Sequence, residues 1–379
     1  MMENEVSKPK PYKLHSRWKI RGIVTTVSPL HIGSGETTTH PQLINKATKQ
    51  LSRVSAIERN FARMPIIPGS ALKGVLRSWA KRYFSNCTNA ILRIFGDDDV
   101  AKKESRAGFA EFCNSTLLQP TELNAFASTL PYWRSEELTG ILSHVCINRD
   151  SGTADEGKLY FEEFVPEHVS FDLAIFSERL DETDIRLLLA ILKYGFSHDT
   201  DPIQLGANGP NGWGKVSLNF DQVEVLRTDP GNAQYDSASM SFRQIWNTVE
   251  LVTLDPLPTP SAQHGILTIP ISLKCRGPFL VNDTSHTQRT KGDDLPNFVP
   301  LRRTDGGAWL PASSFRGVLR QRAEFILRSI DSTATGLVEQ VFGTTGLASR
   351  FTIEEFSGSS FIKTGGENGP QKLQLQLIS

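Results

Sequence analysis

A ten-residue segment occurs twice in this chain, and no other feature limits its architecture as much. Pro68-Gly69-Ser70-Ala71-Leu72-Lys73-Gly74-Val75-Leu76-Arg77 returns as Pro311-Ala312-Ser313-Ser314-Phe315-Arg316-Gly317-Val318-Leu319-Arg320, with six of ten positions identical and Lys73 matched by Arg316. Each copy follows a short apolar run, at 64–67 and 308–310, and precedes a helix-like stretch. Further pairs hold nearly the same offset: Ser28-Pro29-Leu30-His31-Ile32 with Gly277-Pro278-Phe279-Leu280-Val281, Phe95-Gly96 with Phe342-Gly343, and Glu111-Phe112 with Glu355-Phe356. The chain is therefore a duplicated unit, and 379 residues are enough for two cores.

Within each half the pattern predicts a strand, a long polar loop, and a helix entered through a Pro-x-Ser turn. Residues 22–30 and 266–274 are β-branched with partial alternation, as half-buried strands are. Ser70 and Ser313 stand where a helix N-cap is expected, ahead of the apolar spacing Leu72, Val75, Leu76, Trp79 and its counterpart Phe315, Val318, Leu319, Ala323. The other helix face carries Lys73, Arg77, Lys81 and Arg82 in one unit and Arg316, Arg320 and Arg322 in the other. A helix start offers unpaired N–H groups and a positive dipole end, so a phosphate can sit there with a cation one turn on. The bland alternative is a capped, solvated helix; recurrence of the basic position favours binding.

After the first helix, residues 145–149 and 157–166 read as two strands of an extended hairpin around a Gly- and Asp-containing loop. Residues 171–176 read as a buried strand and 184–194 as a core helix. Then follows Leu205-Gly206-Ala207-Asn208-Gly209-Pro210-Asn211-Gly212-Trp213-Gly214-Lys215-Val216. Its glycines let backbone approach a ligand closely, with Gly212 beside Trp213, a residue for a base or for the core, and Lys215 available to a phosphate. It is not a dinucleotide fingerprint, since the spacing differs and a strand follows.

The formal net charge is zero, yet the sign changes along the chain. Lys and Arg outnumber Asp and Glu by sixteen to four over residues 1–93, are outnumbered twelve to twenty-seven over 94–265, and lead ten to five over 266–330. Two basic blocks flanking an acidic one suit a chain that holds a phosphate backbone while packing against neighbours. Cys87, Cys113, Cys146 and Cys275 lie far apart, which predicts buried free thiols, not a zinc knuckle or a disulfide framework. No apolar run reaches the length of a membrane span and the N-terminal segment lacks a signal-peptide core, so no membrane association and a cytoplasmic location are expected.

Together these segments resemble the RAMP superfamily, and more narrowly the backbone subunits of type III CRISPR effector complexes. The resemblance rests on Pro29-Leu30-His31-Ile32-Gly33-Ser34-Gly35, the Ile67 to Gly74 turn, Asn148-Arg149 with Glu163, and the 206–214 loop. It covers residues 20–225 well and the second unit to about residue 356, as in fused double backbone subunits. It implies an α+β fold of two tandem ferredoxin-like, RNA-recognition-type units: a basic tail at 1–19, a first unit at 20–227, a linker at 228–265, and a second unit at 266–379 that looks truncated. It also implies binding of CRISPR guide RNA and complementary target RNA alongside other subunits of the complex, with a thumb hairpin displacing nucleotides. Ser70, Lys73, Arg77, Arg149, Gly212, Trp213, Lys215, Ser313, Arg316 and Arg320 are the residues expected to touch RNA.

In that family the residue that cuts target RNA is an Asp between the first strand and the Pro-x-Ser helix. A carboxylate there could hold a divalent ion, Mg²⁺ or another, or help remove the 2′-hydroxyl proton. The 33–64 loop has no Asp, only Glu36 and Glu58, so unit one is expected to bind without cutting. The second loop carries Asp283, Asp293, Asp294 and Asp305; Asp294, before Leu295-Pro296 and Arg302, best matches the family's order. Asp294 is the first choice as catalytic and metal-holding residue, Asp293 the rival and Asp283 the third. The alternatives are a non-catalytic RNA scaffold, a guide-processing endonuclease using His31, His40 or His286, and a ferredoxin-like protein unrelated to RNA.

Overall fold

The computed structural model describes residues 16–45, 49–97, 107–118, 127–148, 151, 153–199, 201–228, 249–261, 267, 269–271, 273, 280–286, 299–331, 335–344, 346–353 and 356–357. In chain order the first half contributes β1 (Arg17–Thr26), β2 (Gly33–Ile44), β3 (Leu51–Ile57), β4 (Ile66–Ile67), α1 (Gly69–Tyr83), α2 (Thr88–Phe95), β5 (Ala110–Phe112) and β6 (Ser115–Thr116). It continues with β7 (Gly140–Ile147), β8 (Ala154–Phe164), β9 (Ser170–Ser177), α3 (Glu182–Phe196), β10 (Val216–Leu218), β11 (Glu224–Thr228) and β12 (Glu250–Leu251). The second half supplies β13 (Trp309–Leu310), α4 (Ala312–Ile330), α5 (Thr335–Phe342) and β14 (Phe356–Ser357).

The main sheet runs β12-β11-β1-β9-β5, antiparallel throughout, with β10 also pairing β1. Read along the chain this is β1-α1-β5-β9-α3-β10/β11, the βαββαβ order of a ferredoxin-like unit. Alternation fixes which face is covered: Trp18, Ile20 and Val24 of β1 point to the core, while Lys19 and Arg21 point away. Leu72, Leu76, Trp79, Ala80 and Tyr83 of α1, with Ile185 and the apolar run Leu187 to Leu192 of α3, complete that core. Asp181 caps α3 by accepting the Asp184 N–H at 2.9 Å, and Asp184 holds Arg93 of α2 through two bonds at 2.9 and 2.6 Å.

The polar loop expected over 33–64 is instead a hairpin, β2 and β3, in a second sheet ordered β2-β3-β8-β7. β2 is exposed or half-exposed on both faces for most of its length, so no apolar alternation marks it, and Pro41 sits near its register shift on the sheet edge. The β7–β8 hairpin, β9 and α3 form where the pattern placed them.

The second half repeats the middle of the first. β13 pairs β14 (Leu310↔Phe356), as β4 pairs β6 (Ile67↔Ser115), with two helices between in each case. The turns before the helices coincide as well: Arg59 bridges Pro65 and Arg302 bridges Ala308, each around a residue with left-handed backbone, Arg63 (φ 63°) and Gly306 (φ 80°). The strand expected over 266–274 is not seen in its described residues, Leu267, Ile269, Pro270, Ile271 and Leu273. The expected linker, where described, packs on the first unit: β12 extends the main sheet, Leu254 enters its core, and the Ser261 N–H bonds the Tyr83 carbonyl at 2.8 Å. The cysteines depart from the buried-thiol expectation, because they sit at element ends and on the hairpin: Cys87 and Cys113 are half-buried and Cys146 is exposed, while Cys275 lies outside the described residues. No described helix is long and apolar enough to cross a membrane.

The halves meet at a seam. Leu130, Leu142, Phe164 and Trp213 of the first unit bury themselves with Leu301 and Trp309 of the second. Beside them Arg303 forks onto Glu167 at 3.1 and 2.9 Å, and the Thr304 hydroxyl donates to Glu167 at 2.8 Å.

Candidate nucleic-acid interface

Pro68, not Ser70, occupies the N-cap of α1, and Pro311 that of α4; neither helix has a side-chain cap from its own turn. A distant residue serves α1: the Asn114 Oδ1 accepts the Gly69 N–H at 2.9 Å. Gly69 is obligatory there, since a Cβ would lie 1.9 Å from the Phe112 carbonyl oxygen. Ser70 is thereby left exposed on the first turn, with Lys73 half-buried one turn on. Burial and then the Arg77 charge hold the Lys73 ammonium below its ordinary range. Ser70, Lys73 and Arg77 share one face of the first two turns of α1, a hydroxyl and two cations beside a helix start, which suits a phosphate.

The Gly-rich loop packs against the β1–β2 connection. Ala207 and Gly214 donate their N–H groups to the His31 and Pro29 carbonyls, both at 2.8 Å. A Cβ on Gly206 would meet the His31 oxygen at 2.1 Å, and one on Gly214 the Leu205 oxygen at 2.0 Å, so these glycines serve backbone packing. Gly212 is buried in the left-handed conformation (φ 79°) and Trp213 is 2% exposed in the seam cluster. That overturns both as RNA contacts: the indole fills the core and cannot stack on a base. Lys215 is half-buried, its N–H bonded to the Ser28 hydroxyl at 2.9 Å.

Asn208 ties this loop to the thumb by donating to Glu162 of β8 at 2.8 Å, and His144 Nε2 of β7 lies 3.1 Å from the same carboxylate. Burial pushes the Glu162 carboxyl up, but the His144 and Asn208 interactions outweigh it and leave it below the usual range. Toward its tip the hairpin turns apolar and exposed: Val145 pairs Leu159, with Ile147 and Tyr160 alongside. Arg149 lies outside the described residues.

At the base of the thumb Glu163 is fully buried and accepts from Arg59, from Thr139 at 3.0 Å and from the Ile57 N–H at 3.3 Å, with Arg134 at 3.4 Å. His31 Nδ1 lies 2.6 Å from the Glu163 carbonyl, and the imidazole is 4% exposed. It is a buried residue that ties the β1–β2 connection to the base of the hairpin, with Nε2 3.4 Å from the Ser55 hydroxyl. His40 is half-buried against Tyr132, and burial followed by the Arg134 charge lowers its pKa; the His286 side chain lies outside the described residues.

The second unit uses its basic helix differently. Arg316 donates to the Pro210 carbonyl of the Gly-rich loop at 3.0 Å and to the Phe351 and Phe342 carbonyls, and Arg320 reaches the Gly343 carbonyl at 2.9 Å. Burial and the neighbouring Arg320 lower the Arg316 pKa. These guanidiniums are built into the fold, so unit two offers less to a phosphate than the repeat suggests; Ser313 stays half-buried near the helix start. Asp283 is buried, its Oδ1 accepting the Ser285 N–H and hydroxyl at 2.9 and 2.6 Å, which makes it a turn-forming residue. Asp293 and Asp294 lie outside the described residues. Among the described residues no three metal-ligating side chains gather, and Asp283 alone does not make a metal site.

The structure thus joins thumb and Gly-rich loop through Asn208 and Glu162, and sets the Ser70–Lys73–Arg77 surface apart from them on α1. Of the buried Arg59–Glu163–Arg134 group the sequence singled out only Glu163, as part of the family resemblance; Arg59 and Arg134 lie far from it along the chain and no local pattern marks them. A ferredoxin-like first unit with a projecting hairpin and a basic helix start, followed by a second segment that repeats its β4-α1-α2-β6 portion, defines the class. A family model described as RAMP superfamily matches residues 23–217 and 252–368, and the chain belongs to that superfamily. Membership carries the coarse assignment of a CRISPR-associated RNA-binding subunit. Among curated proteins none matches it.

Proposed function

We propose that this protein is a backbone subunit of a type III CRISPR effector complex, of the fused double-unit kind, which holds guide RNA on its first unit and cuts target RNA from the 282–300 segment of its second. The observation that supports this most is the duplication: the family match falls in two regions of one chain, and both contain the same Pro-x-Ser helix entry. Ser70, Lys73 and Arg77 would take guide phosphates, with Lys215 and Arg149 as further cations. The exposed Val145, Leu159 and Tyr160 would wedge between nucleotides, where apolar and aromatic faces accept any base. Sequence would then be read by guide–target pairing.

Asp294 is the proposed cleavage residue, with Asp293 its rival; the turn-holding geometry of Asp283 ranks it last. A carboxylate there would draw the proton from the ribose 2′-hydroxyl once the nucleotide is held in line. A divalent metal, Mg²⁺ or another, is assigned to Asp294 by the family resemblance alone. Unit one, with no Asp between residues 33 and 64, binds and does not cut.

The test is to assemble the chain with the products of its neighbouring genes and guide, add labelled complementary RNA with Mg²⁺, and compare wild type with Asp294→Ala. Loss of one regularly spaced product with intact assembly is expected. An unchanged set of products with Asp294→Ala, with Asp293→Ala and with Asp283→Ala would leave the chain as a non-catalytic scaffold.

A further inference from the structure

The repeat inside this chain shows how a helix pair of this kind is covered. In the first unit Leu76, Trp79, Ala80 and Tyr83 of α1 and Ile94 of α2 are all buried. One element lies on both helices: α3 packs against α1, where a Cβ added to Gly195 would stand 3.5 Å from the Trp79 ring, and against α2, where Asp184 holds Arg93. The offset of the Pro-x-Ser turns sets Leu319, Arg322, Ala323 and Ile326 of α4 at the four α1 positions, and the match of Phe95 with Phe342 sets Val341 of α5 at that of Ile94.

In the second unit these positions stand open. Ile326 and Val341 are exposed, and so are Val318 (62%), Phe325 (59%) and Ile330 (78%), which fall with Ile326 in one arc of α4. Five large apolar side chains on one helix pair make a patch, where a single exposed one would mean nothing. Two departures within the repeat say what its cover must carry. Arg322 stands where α1 has Trp79, in the middle of the arc; it lies over the Phe325 ring at 5.0 Å, and no described carboxylate pairs with it. Phe325 and Gln340 stand where the first unit has Arg82 and Arg93, the cations held by Asp201 and Asp184, just after α3 and on it. A cover with the charges of α3 would find no cation at either place.

We propose that the face formed by α4 and α5 binds one amphipathic helix of a different protein, laid across both helices as α3 lies across α1 and α2. Its apolar stripe meets Phe325, Ile326 and Val341, and an Asp or Glu within that stripe meets Arg322. The carboxylate is required, because a guanidinium covered without a counter-charge is costly. A second copy of this chain does not supply it. Two α4 helices packed about a two-fold axis bring Arg322 towards Arg322, cation against cation. The α3 of a second copy is no substitute, since Leu188 to Leu192 are already buried in its own core.

The choice of partners to test rests on the subunit reading above, and the experiment separates the two. A photoreactive benzophenone amino acid replaces Ile326 in the full chain, the complex is assembled with the co-expressed neighbouring gene products and guide RNA, and the irradiated crosslink is mapped. A crosslink to a helix of a different chain, with an Asp or Glu within one turn of the crosslinked residue, is expected. Arg322→Glu should then lower recovery of that chain roughly tenfold or more, with guide RNA retained and the thermal midpoint unchanged, and replacing the mapped carboxylate by Lys should restore it. A crosslink to RNA, to a second copy or to this chain itself, or none from an assembled complex, overturns the proposal while leaving the RNA-binding reading intact. So does partner recovery that Arg322→Glu leaves unaltered, or that the charge swap fails to restore. A wild-type chain that joins neither RNA nor any partner overturns both readings.

Discussion

A buried carboxylate is tolerable only when its lone pairs are met, and Glu163 meets this by accepting from Arg59, Thr139 and the Ile57 backbone. Removing it with Glu163→Ala leaves Arg59 and Arg134, both mostly buried, sharing only the Glu137 carboxylate, and leaves the Ile57 N–H and the Thr139 hydroxyl without this acceptor, so a loss of about 1–3 kcal/mol is expected in chemical denaturation. Glu162, one residue away and on the other face of the strand, bears on pH. Its carboxyl lies below the usual range in the fold, so its stabilisation is present above the unfolded carboxyl pKa and is lost as pH falls through the folded value. Glu162→Gln should therefore make stability less steep in acid, as read from thermal midpoints across that range. Trp213 marks the limit of sequence reading at this scale: in a Gly-rich loop an indole can serve a base or a core, and only the tertiary neighbours Phe164 and Trp309 decide for the core. Trp213→Ala should cost about 3–5 kcal/mol as a core truncation, with RNA affinity of the folded protein unchanged.

The repeated helices show how far local pattern carries. The spacing of Leu72, Leu76 and Trp79 was enough to place α1 and its buried face, because a helix with one apolar stripe has one way to bury it. The cap was not legible, since Asn114 reaches Gly69 from forty-five residues along the chain and no local window contains that contact. β2 escaped for a different reason: a strand on a sheet edge, wet on both faces, carries no alternation to read. Glycine makes the contrast between the elements testable. Gly74 and Gly317 occupy matching helical positions with nothing within 4 Å of an added Cβ, whereas Gly69 lies against backbone. Alanine at 74 or 317 should stabilise the protein by about 0.5–1 kcal/mol each, while Gly69→Ala should unseat α1 from the β5–β6 connection. Thermal unfolding of the three single variants separates these outcomes.

At the scale of the molecule, the duplication and the reversal of charge along the chain were visible in the sequence, but the contact between the units was not. The seam joins residues such as Leu130 and Trp309, far apart in sequence, and no periodicity relates them. Its polar part sets how the units unfold. Glu167 is 4% exposed and is held by Arg303 and Thr304, so Glu167→Ala strands a mostly buried guanidinium and opens the edge of the Trp213–Trp309 cluster to water. The first unit keeps its own ferredoxin-like core, centred on β1, α1 and α3, and should hold. The second has among its described residues only a small cluster around Leu310, Ile353 and Phe356, which depends on the neighbour it leans against. Wild type should therefore unfold in one denaturant transition, and Glu167→Ala in two, the earlier reporting the second unit. Intrinsic fluorescence distinguishes them: Trp309 lies in the seam and Trp79 deep in the first core, so the early phase should carry the seam signal while the far-ultraviolet dichroism of α1 and α3 persists. A single transition merely shifted to lower denaturant would instead mean that the two units fold as one body, with the seam as much a part of the core as either sheet.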